Sequence, residues 1–170
     1  LINVKEIKYT KRLIESSALS LLYVSFFLSH FYLIQMNYGS GLAIMALTSV
    51  WAYDAGAFFI GSKFGKHKLS PHFSPKKSWE GLIGGIAFTF VYLFIFDFIG
   101  LLFSVMPKMD ILHFFIFALM VGIFDTIGDL MESVIKRYYN VKDSSKILPG
   151  HGGMLDRIDG LLIATPMWYL

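Results

Sequence analysis

The run Ile111-Leu-His-Phe-Phe-Ile-Phe-Ala-Leu-Met-Val-Gly-Ile-Phe-Asp-Thr-Ile-Gly-Asp-Leu130 decides the fold. It is long enough to cross a bilayer, which takes about 20 predominantly apolar residues as an α-helix. Its two carboxylates, Asp125 and Asp129, come at its end, and His113 lies near the other end, where an interfacial position suits it. Asp125, Asp129 and Ser133 are spaced by four, so a helix presents them on one face. Lys136 and Arg137 continue roughly along that stripe. Acids lined up at the end of a span are what a metal site at the membrane surface requires.

Similar runs lie on either side. Leu13 to Met36, Gly41 to Gly61 and Gly81 to Met106 read as three earlier spans, and Gly160 to Leu170 reads as the start of a fifth. The chain has 170 residues, 55% hydrophobic and only 16% charged, too little charge for a soluble domain of this length. The expected fold class is all-α: a polytopic transmembrane helical bundle of about five spans, with residues 1–170 as a single integral-membrane catalytic domain. The polar Leu1 to Arg12 before an apolar run resembles a signal peptide, but the run is too long and lacks a small-residue cleavage pattern. His30 reads as a packed or interfacial histidine. Gly81, Gly84 and Gly85 at helical spacing suit close helix packing. The chain opens at Leu1 rather than Met and stops inside an apolar run, so missing ends are expected. With no cysteine, disulfides and thiolate chemistry are excluded.

Two polar islands interrupt the apolar pattern. Gly61 to Glu80 carries five lysines with no acid before Glu80, and its two prolines forbid a long helix. Ser74 to Ser78 is expected to be a phosphate-binding turn leading into a helix, whose N-terminus favours anions. Ser133 to Asp159 mixes Lys136, Arg137, Lys142, Lys146 and Arg157 with Asp143, Asp156 and Asp159, and sets Gly150, Gly152 and Gly153 around His151. Lys and Arg bind phosphate oxygens. Carboxylates hold a hard cation such as magnesium, and glycines admit close backbone approach to an anion. A solvated mixed-charge loop would account for the charges but not for their order. In the second span, Asp54 is a costly carboxylate, about 2.5–3.5 kcal/mol at mid-bilayer on insertion scales. It must face a polar interior or the membrane surface.

The order of residues from Ser133 to Asp159 resembles the signature of the phosphatidate cytidylyltransferase (CDP-diacylglycerol synthase) family. It reads Ser-x-apolar-Lys136-Arg137, then Lys142-Asp143, Leu148-Pro149, His151-Gly-Gly-Met154 and Asp156-Arg-Ile-Asp159. Asp54-Ala-Gly-Ala-Phe58, Ser74-Pro-Lys-Lys-Ser-Trp-Glu-Gly81 and Gly128-Asp129-Leu130 resemble further family motifs. The likeness runs from about Trp51 to Leu170, and Asp125 matches no recognised family position.

The resemblance implies that CTP and phosphatidate react to give CDP-diacylglycerol and diphosphate, with Mg2+ as cofactor and a second cation left open. Asp129 and Asp156 are the expected metal ligands, with Asp159 as a further one and Asp143 as another choice. Asp129, Lys142, Asp143, His151, Asp156 and Arg157 are the candidate catalytic set. Asp54, Ser74, Lys76, Lys77, Ser133, Lys136, Arg137, Gly152 and Gly153 are the candidate substrate-binding set.

Fourteen of the fifteen Lys and Arg residues fall in Leu1 to Arg12 and the two islands, all on one side of the expected topology. The positive-inside rule makes that side cytoplasmic, where CTP is found. The expected setting is a bacterial cell membrane rather than an organelle, with the lipid bilayer as partner, no nucleic acid, and a homodimer left open. The rivals are a CTP-dependent transferase or kinase acting on another membrane lipid alcohol, and a transporter with an intramembrane acidic stripe.

Overall fold

The computed structural model describes residues 4–71, 74–102, 109–138, 141, 144–145 and 155–169. The elements are α1 (Val4–Tyr38), α2 (Ser40–Phe64), β1 (Lys68–Ser70), β2 (Ser74–Ser78), α3 (Trp79–Leu102), α4 (Ile111–Tyr138) and α5 (Leu155–Tyr169). Helices α1 to α4 are each long and apolar enough to cross a membrane. The apolar runs locate them, but the helices extend past the runs into polar sequence. Helix α4 continues to Tyr138, so Ser133, Lys136 and Arg137 lie on its last two turns, as their spacing from Asp125 and Asp129 predicts. Outward-facing side chains such as Phe94, Ile95 and Phe98 are exposed, as suits contact with lipid.

The fifth helix begins at Leu155, five residues earlier than the apolar pattern suggests. The Asp-Arg-Ile-Asp end of the signature is therefore its first turn. At 15 residues, α5 is about 22 Å long and shorter than a span. It is also the most enclosed helix: every residue from Gly160 to Pro166 is buried. It packs against α4, α1 and α2. The Trp168 indole stacks on Phe117 of α4 with ring centroids 4.2 Å apart. The Asn37 amide donates to the Tyr169 hydroxyl at 3.2 Å, tying the ends of α1 and α5 together. His30 is a packed histidine, bonded to the Phe26 carbonyl oxygen at 2.8 Å and edge-on to Tyr169.

Helices α2 and α3 are in intimate contact. A Cβ on Gly85 would fall 2.5 Å from the Tyr53 ring, and one on Gly84 would fall 2.5 Å from Cβ of Ile60. Glycines at both positions let the helices close to a distance that alanine would not permit. Asp97, toward the other end of α3, is buried, and its Oδ1 has no hydrogen-bond partner among the described residues.

Ser74 to Ser78 is a strand rather than the turn expected there, and it does lead into a helix. Strands β1 and β2 form an antiparallel hairpin, with Lys68 opposite Ser78 and Ser70 opposite Ser74. Two local ties fix it to α3. The Trp79 N–H donates to the His67 carbonyl at 3.0 Å. The His67 N–H donates to both Glu80 carboxylate oxygens at 3.2 Å, and the His67 ring Nδ1 lies 2.5 Å from Glu80 Oε1. Ser78 is the N-cap of α3: its buried hydroxyl accepts the Gly81 N–H at 3.1 Å. Ser78→Ala should lower the stability of the folded protein by about 1 kcal/mol, the usual cost of losing such a cap. The check is thermal unfolding in detergent. A midpoint equal to wild type would count against the cap.

Candidate active site

The second half of α2, the hairpin, the start of α3 and Thr126 of α4 line a cleft of about 550 Å³. Polar groups on its wall include Tyr53, Asp54, Ser62, Lys68, Lys76, Lys77 and Thr126. Beside it, the carboxylates of Asp54 on α2 and of Asp125 and Asp129 on α4 converge, with one oxygen of each within 4.8 Å of the others. The two α4 acids are neighbours because they are one turn apart. Asp54 reaches them because α2 crosses α4 at Tyr53, whose hydroxyl shares a 2.6 Å hydrogen bond with Thr126 Oγ1. Asp125 is 1% exposed, Asp129 half-buried and Asp54 exposed, so the cluster runs from the packed interior to the cleft.

The hairpin brings positive charge to this group. Lys77 Nζ forms an ion pair with Asp129 Oδ2. Two ionised carboxylates about 4 Å apart repel by roughly 4 kcal/mol at an effective dielectric of 20. A site with three of them favours a cation, and their hard oxygen donors suit Mg2+ or Ca2+ better than a soft metal. Helix α5 closes the group from behind. A Cβ on Gly160 would fall 1.7 Å from Asp125 Oδ1, so α5 lies directly on that carboxylate.

The residues singled out in the sequence are distributed as follows. Asp54, Asp129 and Lys77 meet at the cluster, and Lys76 lines the cleft. Asp125, which matches no recognised family position, is in the cluster as well. Ser74 is half-buried at the start of β2 and is not part of the cleft wall. Lys136 pairs with Glu132 one turn before it on α4, Ser133 is half-buried, and Arg137 is exposed. Lys142, Asp143, His151, Gly152 and Gly153 lie outside the described residues, as do the side chains of Asp156, Arg157 and Asp159. The backbone of α5 nevertheless places Asp156 one helical turn before Gly160, the residue that abuts Asp125. Tyr53, Thr126 and Gly160 were not singled out. The first two flank acids that were noticed, and the third follows Asp159 directly.

A bundle of membrane-length helices, with a lysine-bearing hairpin at one end beside three converging carboxylates, defines a multi-pass membrane protein with an acid–lysine site. The model of the Cytidylyltransferase family matches residues 2–170, and the chain belongs to that family. It is 44% identical to the phosphatidate cytidylyltransferase of Thermotoga maritima over 170 residues, which is 100% of this chain and 63% of that protein. It is 41% identical to the Bacillus subtilis protein of the same name over 133 residues, 78% of this chain and 48% of that one. For the Haemophilus influenzae protein of that name the identity is 45% over 134 residues, 77% of this chain and 45% of the relative. The chain thus spans less than two thirds of the length of these relatives.

Proposed function

We propose that this chain carries the catalytic unit of a phosphatidate cytidylyltransferase, which joins CTP to phosphatidate and releases diphosphate. The observation that carries this reading is the meeting of Asp54, Asp125 and Asp129 with Lys77 beside a cleft lined by two more lysines. The family membership and the names of the relatives support it. Residues 1–170 act together in this reading, because the acids, the hairpin and α5 contribute to one place.

The chemistry asks for little beyond alignment and charge neutralisation. A phosphate oxygen of phosphatidate attacks the α-phosphorus of CTP, a new P–O bond forms, and the bond to the β-phosphate breaks as diphosphate leaves. Both reactants are anions, so positive charge must offset their repulsion. Lys68 and Lys76 stand in the cleft wall to meet phosphate oxygens. Lys77, poised on Asp129, can exchange part of that pairing for a phosphate oxygen. A general base is not needed, because a phosphate dianion is already a nucleophile. Asp54, Asp125 and Asp129 are the residues that would hold Mg2+, and Asp156 joins them in this reading from the first turn of α5. Held there, the ion would supply charge neutralisation to the phosphate oxygens and to the departing diphosphate. The acyl chains stay in the bilayer beside the apolar helix faces. In this reading the site faces the cytoplasm, and the gathering of Lys and Arg on one side of the expected topology supports it.

The test is incorporation of CTP radiolabelled at the α-phosphate into lipid by the full-length enzyme, supplied in turn with phosphatidate and with a polyprenol. Label should enter lipid with phosphatidate alone, and excess EDTA should stop it. In a parallel run with CTP labelled at the γ-phosphate, which leaves with diphosphate in the proposed reaction, label entering the polyprenol would favour a CTP-dependent kinase, and no incorporation in either run would leave a transporter. Turnover that persists in EDTA would remove the metal from the mechanism. In the same assay, Lys77→Ala should raise the KM for CTP about tenfold or more, the scale of one charge-assisted hydrogen bond. An unchanged KM would reduce the hairpin lysine to surface charge.

A further inference from the structure

We infer that Tyr53 and Thr126 form a positioning pair that sets the spacing of the three carboxylates, and hence their affinity for a divalent cation, an inference that rests on the cation site proposed for the cluster. Tyr53 immediately precedes Asp54 on α2, and Thr126 immediately follows Asp125 on α4. Their hydroxyls meet at 2.6 Å. The bond therefore fixes the two helices within one residue of the place where their acids converge. Both residues are enclosed, at 2% and 5% exposure, and both reach the cleft wall.

The tyrosine ring has little freedom to relocate its hydroxyl. A Cβ on Gly85 of α3 would fall 2.5 Å from ring atom Cε2, and one on Gly122 of α4 would fall 3.2 Å from it. The ring is held where α3 and α4 each offer only a glycine. A ring so confined delivers its hydroxyl to a single point, and Thr126 occupies that point. Metal ligand distances tolerate about 0.2 Å, so a small slip between α2 and α4 is enough to spoil a shared site. Losing groups that orient ligands typically lowers metal affinity by about 10–100-fold.

The experiment is direct titration of Mn2+, as a paramagnetic stand-in, into the full-length enzyme without nucleotide or lipid. Tyr53→Phe keeps the ring and removes the hydroxyl, Thr126→Val removes the other partner, and Thr126→Ser restores a hydroxyl. Tyr53→Phe and Thr126→Val should each weaken Mn2+ binding about 10–100-fold. The double variant should be no weaker than either single variant, as expected for residues acting through one bond. Thr126→Ser should bind within a few-fold of wild type, and raised Mg2+ should recover the turnover of Tyr53→Phe. Wild-type Mn2+ affinity in both Tyr53→Phe and Thr126→Val would overturn the inference and leave the hydroxyls as a satisfied core pair. If Asp129→Asn also binds Mn2+ as wild type does, the cation reading falls, and the positioning role with it.

Discussion

Turnover by an Asp129→Asn variant of the full-length enzyme is expected to fall by about 10²–10³-fold or more, the scale of losing one preorganised electrostatic contact at a reacting centre. Two effects combine. The cluster loses one of its three charges, and Lys77 loses the carboxylate it pairs with. Asparagine keeps the size of the side chain, so the last turns of α4 should pack as before and the variant should purify like wild type. Lys77→Ala affects only the second partner, so its defect should concentrate in the KM for CTP, whereas Asp129→Asn should depress kcat as well. Asp97→Asn is the matched control, because Asp97 is a buried acid on α3 that is not part of the cluster. Its turnover should stay close to wild type. An Asp129→Asn enzyme that matched the control would separate the cluster from the chemistry.

Gly160→Ala should be nearly as damaging without touching a charge. The added methyl would stand 1.7 Å from Asp125 Oδ1 and 2.5 Å from its Cγ, far inside van der Waals contact. Either α5 moves away from α4 or the Asp125 carboxylate swings out of the cluster. Overpacking of this kind commonly costs about 1–3 kcal/mol of stability. A displacement of about 1 Å in a reacting arrangement can cost 10²-fold in rate. The expected result is a folded but less stable enzyme with turnover reduced about 100-fold. Thermal unfolding and the labelled-CTP assay check the two parts. Wild-type rate and stability together would mean that α5 does not rest on Asp125.

The spans were legible because lipid imposes a long apolar stretch on any helix that crosses it. Their ends were not, because the last turns of α4 and the first turn of α5 are polar and protrude from the apolar pattern. The hairpin was missed for a different reason. Ser74-Pro-Lys-Lys-Ser78 has no alternation of apolar and polar residues and contains a proline, so nothing local marks a strand. Its register is set by ties to residues beyond it, the Trp79 N–H to His67 and the His67–Glu80 pair. Within the site, the spacing of Asp125 and Asp129 was readable as one helix face, and Asp54 stood out as a carboxylate in an apolar helix. That Asp54 meets the other two depends on how deeply α2, α3 and α4 settle against one another. Gly85, Gly122 and Tyr53 fix that depth across more than thirty residues of intervening chain. No spacing rule along the chain encodes it.

Helix α5 sits against the cluster from the last part of the chain described, while the acids come from α2 and α4 and the lysine from the hairpin between them. During synthesis, the nascent protein would expose a half-built acidic pocket at the membrane surface until α5 arrived. In the proposed reading competence waits for α5, so an insertion intermediate stalled before Gly160 would not spend nucleotide.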